Sequence, residues 1–184
     1  MLILACDIGQ AHDPTAVVVV EVTVERFTVR HLERLPLGTP YPVVAERLGV
    51  IHDALPASRA IVIDATGVGR PVLDLLRAQG RSPIAVSITG GGRSRLDEVT
   101  GLWSVPKSQL LAPLMGALEA GSLMLAPGLS DAEALGRELA AFRRKINSHG
   151  HTVTGGKGAH DDLVIALALG VWLGRQHLSR AAAA

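Results

Sequence analysis

Near its C-terminal end the chain reads Gly158-Ala159-His160-Asp161-Asp162-Leu163-Val164-Ile165-Ala166-Leu167-Ala168. Two adjacent carboxylates open a run that is otherwise almost wholly apolar, and a helix that apolar is buried along most of its surface. Ionised carboxylates at its mouth are costly unless a cation, a hydrogen-bond network or water meets them. Two earlier segments, Met1-Leu2-Ile3-Leu4-Ala5-Cys6-Asp7 and Ala60-Ile61-Val62-Ile63-Asp64, are apolar runs that each end in Asp. Clustered carboxylates repel, and hard divalent cations such as magnesium or manganese relieve that repulsion; an oxygen-only donor set argues against zinc. Two such ions about 3.5–4 Å apart can activate a water and stabilise the leaving oxygen of a phosphodiester. Taken singly, each residue also has an ordinary reading. Asp7 and Asp64 suit turns, and Asp161 and Asp162 suit a helix N-terminus. Asp13, directly before Pro14, divides evenly between a turn residue and a ligand. It is the set that points to catalysis.

The elements that must carry these residues follow from punctuation and period. Leu2 to Asp7 reads as a buried strand, Thr15 to Val24 as a β-branched one and Arg26 to Leu35 as a third, so the chain opens with an antiparallel meander. Val43 to Leu55 has helical spacing, and Ala60 to Asp64 is a short strand suited to a parallel neighbour. Thr66-Gly67-Val68-Gly69 makes a tight turn into a helix from Val72 to Gln79, and Ile84 to Thr89 is a further strand. Gly90-Gly91-Gly92 begins a flexible polar stretch to about Glu98. Pro106 opens a helix through Ala120, and Ser130 to Ile146 is an amphipathic helix with Ser130 and Glu133 placed as a capping box. Asn147 to Ala159 is a loop around a short strand at Val153, and the last helix runs from Asp161 to about Gly174. Such an order makes a mixed α/β sheet with helices on its faces, and it can bring Asp7, Asp64 and Asp161 to one sheet edge.

Composition sets the bounds. Hydrophobic residues at 48% and charged residues at 19% fill a real core, and 184 residues suit one domain. The net charge of +1 argues against a polybasic DNA-coating protein but permits a local basic groove. One cysteine, Cys6, forms no internal disulfide and fits a reducing compartment. With Met1 leading straight into a strand, no signal peptide is expected, and no apolar run is long enough to span a membrane. Trp103 and Trp172 read as core residues.

Four segments in order carry a resemblance: Asp7-Ile8-Gly9 with Asp13-Pro14-Thr15-Ala16, then Val62-Ile63-Asp64-Ala65-Thr66-Gly67-Val68-Gly69, then Val105-Pro106-Lys107, then His160-Asp161-Asp162-Leu163-Val164-Ile165-Ala166. Together they resemble the nuclease domain of phage terminase large subunits, ribonuclease H-like proteins akin to Holliday-junction resolvases. The resemblance runs from Leu2 to Trp172. It implies an α/β, ribonuclease H-like domain over residues 1–176: a mixed central sheet, antiparallel in its first three strands and parallel after them, flanked by helices on both faces. Residues 177–184 are then expected to form a disordered tail. It also implies a metal-dependent endonuclease that cuts double-stranded DNA during phage genome packaging, with two Mg2+ or Mn2+ ions as cofactors. Asp7 would bridge both ions, Asp64 and Asp161 would complete the two shells, Asp13 would support the second metal, and Asp162 is kept as a second ligand beside Asp161.

The remaining assignments concern DNA and partners. Lys107 at a helix start can meet a DNA phosphate, and Arg93, Arg95, Arg143, Arg144 and Lys145 can form a DNA-facing patch. Arg143 to Lys145 also suit a solvated helix C-terminus. His160 can orient a water or bind a phosphate; a zinc site of His149, His151 and His160 is disfavoured, because no cysteine is near. With no recognition helix or zinc finger, cutting is expected to be largely independent of sequence. Gly155-Gly156-Lys157-Gly158 lacks the spacing and hydroxyl of a phosphate loop, so a separate packaging ATPase is expected as a partner, with a small terminase subunit and a portal, in the host cytoplasm. A Holliday-junction resolvase-like nuclease and a non-catalytic packaging module of the same fold are the alternatives.

Overall fold

The computed structural model describes residues 1–9, 11–149 and 161–183. Their elements, in chain order, begin with the strands β1 (Leu2–Asp7), β2 (Ala16–Val22) and β3 (Phe27–Arg34). Helix α1 (Tyr41–Ala54), strand β4 (Arg59–Asp64), helix α2 (Gly69–Ala78) and strand β5 (Ile84–Thr89) follow. The last are β6 (Arg95–Asp97), β7 (Leu102–Pro106), α3 (Lys107–Glu119), β8 (Leu123–Leu125), α4 (Ala132–His149) and α5 (Asp162–Ala183).

The strands form one mixed sheet in the order β6-β7-β5-β4-β1-β2-β3-β8. β1, β2 and β3 are an antiparallel meander. β1, β4, β5 and β7 are parallel to one another, so their carboxyl ends share one edge. Side chains alternate across β1. Ile3 and Ala5 join α3, α4 and α5 in one core, while Leu4 and Cys6 join α1 and α2 in the other. A strand buried on both faces must read as an unbroken apolar run, which is why β1 carries no polar residue before Asp7.

Helix α5 lies across the centre of the first face, against β1, β2 and β4. Two glycines permit its close approach. A Cβ at Gly170 would stand 2.9 Å from Val20 Cγ2, and one at Gly174 would stand 2.8 Å from Val22 Cγ2 and 2.9 Å from Phe27 Cε1. Trp172 is buried, and its ring meets Trp103 edge-on at 5.5 Å. No helix of the described residues is long and apolar enough to cross a membrane.

The structure departs from the sequence reading at four places. α5 continues through Gly174 to Ala183, so 177–183 are helical rather than a disordered tail. Arg175 sits 5.1 Å from the centre of the Phe27 ring, and the alanines beyond it are the strongest helix formers. The glycine-rich stretch ends in strand β6, which pairs antiparallel with β7. Gln109 also pins that stretch, accepting from Ser94 N at 3.0 Å and Ser94 Oγ at 2.6 Å and donating to Gly92 O at 3.3 Å. β7 and β8 are short strands that run directly out of or into other elements, and periodicity gave no sign of them. α4 begins at Ala132, where the Asp131 carbonyl accepts from Leu135 N at 3.0 Å, so Asp131 rather than Ser130 holds the cap position. The expected strand at Val153 lies outside the described residues.

Candidate metal centre

Register decides how the first two carboxylates meet. Cys6 of β1 pairs with Ile63 of β4, so Asp7 and Asp64 follow side by side at the shared carboxyl edge. Ala5 and Val62 both face the α5 core, so by the two-residue period Asp7 and Asp64 face it as well. Lys107 reaches the same edge because β7, parallel to the others, runs straight into α3. Asp161 closes the group from across the sheet. Its carbonyl accepts from Ile165 N at 2.8 Å, so it is the N-cap residue of α5, with Asp162 next as the first helical residue.

The electrostatics are those of crowded acid. Burial pushes the Asp7 carboxyl well above the usual carboxylate range, and the neighbouring Asp64, Asp162 and Asp161 raise it further; Lys107 opposes them. Burial likewise raises Asp64, which is 9% exposed, against the pull of Thr66 and Lys107. Thr66 N donates to Asp64 Oδ1 at 2.7 Å, so the turn after β4 fixes that carboxylate. Gly69 lets the turn pass, since a Cβ there would overlap the Asp64 carbonyl. Lys107 Nζ donates to Asp161 Oδ2 at 2.9 Å. An ammonium thus already sits where negative charge gathers.

Asp13 comes to this edge on the β1–β2 turn. Gly9 N donates to Thr15 Oγ1 at 3.1 Å, and Thr15 Oγ1 donates to Gly9 O at 3.3 Å, closing the turn. A Cβ at Gly9 would overlap the Asp13 carbonyl, so only glycine lets the turn fold this tightly. Asp7, His12, Asp13, Asp161 and Asp162 together line a cleft of about 340 Å³.

The donor set fits hard divalent cations: carboxylate oxygens, buried or crowded, that together raise the pKa of Asp7 and already attract a cationic side chain. Among the described residues, however, no three His, Cys, Asp or Glu side chains form a ready-made cation cage. The expected grouping of Asp7, Asp64 and Asp161 is present as a shared edge and not as a closed ligand shell.

No family model matches the sequence, and no curated protein matches it. Solved structures do. The large terminase nuclease from thermophilic phage G20c superposes with a TM-score of 0.66 at 23% identity, over 92% of this chain and 80% of that one. The human cytomegalovirus terminase nuclease domain, solved after a manganese soak, gives 0.57 at 17% identity, over 93% and 82%. The large terminase of a second thermophilic bacteriophage gives 0.64 at 13% identity; the match covers 92% of this chain but 38% of that longer protein. The fold is that of a terminase nuclease domain. The G20c nuclease has also been solved with bound magnesium.

Within this terminase nuclease fold the remaining sequence assignments fall unevenly. Arg93 is exposed just before β6 and Arg95 is exposed within it, both on the stretch that Gln109 ties to α3, the helix of Lys107. Arg143, Arg144 and Lys145 lie on α4, with side chains outside the described set, and His160 lies outside the described residues altogether. Three contributors escaped the sequence reading. His12 lines the cleft. Arg34 and Glu138 form an ion pair beside Asp162, whose Oδ2 is 3.8 Å from Arg34 Nη2. Glu138 had left a trace in the sequence: it stands three residues after Leu135 and just before Leu139, on the apolar stripe of an amphipathic helix.

Proposed function

We propose that this chain is a divalent-metal-dependent endonuclease that cuts double-stranded DNA, with little sequence preference, during viral genome packaging. The observation that carries the reading is the crowding at one sheet edge: Asp7 is pushed up by burial and by Asp64, Asp162 and Asp161 together. An edge that only closed a fold would not gather four acids. Asp7, at the centre, would contact both ions; Asp64 would hold one and Asp161 the other, with Asp162 and Asp13 in reserve. Two bound Mg2+ or Mn2+ ions supply activation of a water and neutralisation of charge on the scissile phosphate.

The chain's own residues do the rest. Asp7 and Asp64 give up protons to bind cations, so activity falls as pH drops through their raised pKa values. Thr66 holds Asp64 in place. Lys107 donates to Asp161; with a cation held by Asp161, the ammonium would be available to a DNA phosphate. Arg93 and Arg95, with Arg143, Arg144, Lys145 and His160, are assigned to the DNA backbone, which orients the duplex without reading bases. A packaging ATPase, a small terminase subunit and a portal are the proposed partners, in the host cytoplasm.

Plasmid cleavage in Mn2+ tests this. Asp7→Asn and Asp64→Asn should each lower the rate by more than about 100-fold, beyond the range for groups that only orient a ligand. Wild-type rates in both variants would exclude the mechanism.

A further inference from the structure

The cap of α5 is supplied from another helix. An Asp at a helix N-cap ordinarily turns its carboxylate onto the backbone N–H of the second or third helical residue. Asp161 holds the N-cap position, yet its Oδ2 accepts from Lys107 Nζ at 2.9 Å. The N–H at the third position, on Val164, is buried and donates instead to Glu138 Oε2 of α4 at 3.1 Å. Glu138 is 8% exposed, and its Oε1 accepts from the Arg34 guanidinium. A buried carboxylate persists only when paired and hydrogen-bonded, and Arg34 with Val164 N–H meets both conditions. Arg34 is itself anchored: its backbone N donates to Asp131 Oδ2 at 3.2 Å, which registers the end of β3 against the start of α4. The same guanidinium stands 3.8 Å from Asp162 Oδ2.

We propose that Glu138, held by Arg34, is a positioning residue for the metal edge. By capping α5 at Val164 it relieves Asp161 of the capping role, and the Asp161 carboxylate stays turned toward Lys107 and the cleft. Without Glu138 the Val164 N–H loses its acceptor, and Asp161, as the N-cap residue, holds the position from which a carboxylate ordinarily takes its place. The metal edge would then lose a ligand to local helix capping. The metal part of this proposal rests on the nuclease reading of Asp161; the capping part does not.

Three variants separate the cases. In Glu138→Gln the amide oxygen still accepts from Val164. Glu138→Asp keeps the charge but withdraws the acceptor by one methylene, and Glu138→Ala removes it. Crystal structures read the Asp161 side chain directly, and calorimetry with Mn2+ reads affinity, with Asp7→Asn as the reference for a lost metal ligand. Asp161 should turn from Lys107 onto the helix N–H groups in the Ala and Asp variants and stay in place in the Gln variant. Mn2+ affinity should fall about 10- to 100-fold in the first two and within about threefold in the third, the range measured when groups that orient metal ligands are removed. If the Ala variant does not fold, the contrast between Asp and Gln carries the same information. An Asp161 that keeps its contact with Lys107 in both the Ala and Asp variants overturns the proposal. If Asp161 turns as expected but neither the wild type nor Asp7→Asn shows Mn2+ binding at this edge, the capping relation stands and the nuclease reading fails.

Discussion

At the scale of the residue, Asp7 concentrates the conflict that cation binding would resolve. Its folded pKa lies above its unfolded value, so between those values the folded chain holds a proton that the unfolded chain has released. Stability therefore falls as pH rises through that window, and the deficit is complete once pH exceeds the folded value. Asp7→Asn removes the deficit. In EDTA at neutral pH the variant should melt above the wild type, and the gap should close as pH falls below the ordinary carboxylate range. Added Mn2+ should raise the wild-type melting temperature and leave the variant nearly unmoved. A variant that melts below the wild type in EDTA at neutral pH would show that the Asp7 charge is already compensated. The conflict was partly legible in the sequence, because charged residues at the ends of apolar runs stand out. Asp7, Asp64, Asp161 and Asp162 were all visible that way. Arg34 was not, because it lies in an amphipathic segment where one charge more attracts no notice, and Glu138 left only its place on the apolar stripe of α4. Lys107 was visible too, but its pairing with Asp161, distant in the chain, was not.

At the scale of the element, α5 is the part that matters most. Its apolar sequence announced a buried helix, and register then delivered Asp161 and Asp162 to the edge. Close packing of α5 on the sheet depends on Gly170, where a Cβ would stand 2.9 Å from Val20 Cγ2 in the middle of the core. Gly170→Val should destabilise the fold by about 1–3 kcal/mol, the usual range for overpacking, and chemical denaturation measures it. A loss below a few tenths would mean that α5 can move off the sheet without penalty. The meander and the parallel strands were legible because β-branched runs and buried apolar runs differ in pattern. The short strands β7 and β8 were not, since three to five residues set no period and their pairing depends on distant neighbours. The end of α5 was misplaced at Gly174 because a glycine there reads as a stop signal, whereas its role is to let Val22 and Phe27 approach.

At the scale of the whole molecule, a net charge of +1 gives little general attraction to DNA, so the proposed DNA binding would have to come from a local surface. Arg93 and Arg95, exposed on the stretch tied to α3, are the assigned contacts. Replacing either with Ala should weaken binding to all duplex sequences alike and reduce the log–log salt slope by about 1; an unchanged slope would place the DNA elsewhere. The sheet order gathers β1, β4 and β7 at one edge and brings α5 over it, and this arrangement is shared with the terminase nucleases of G20c and human cytomegalovirus. The central claim is that this edge holds divalent metal. It is tested most directly by an anomalous difference map from crystals soaked in Mn2+. Two ions should flank Asp7, one against Asp64 and one against Asp161, with Lys107 withdrawn from Asp161. A map with no ion at this edge, and Lys107 still bound to Asp161, would contradict the claim.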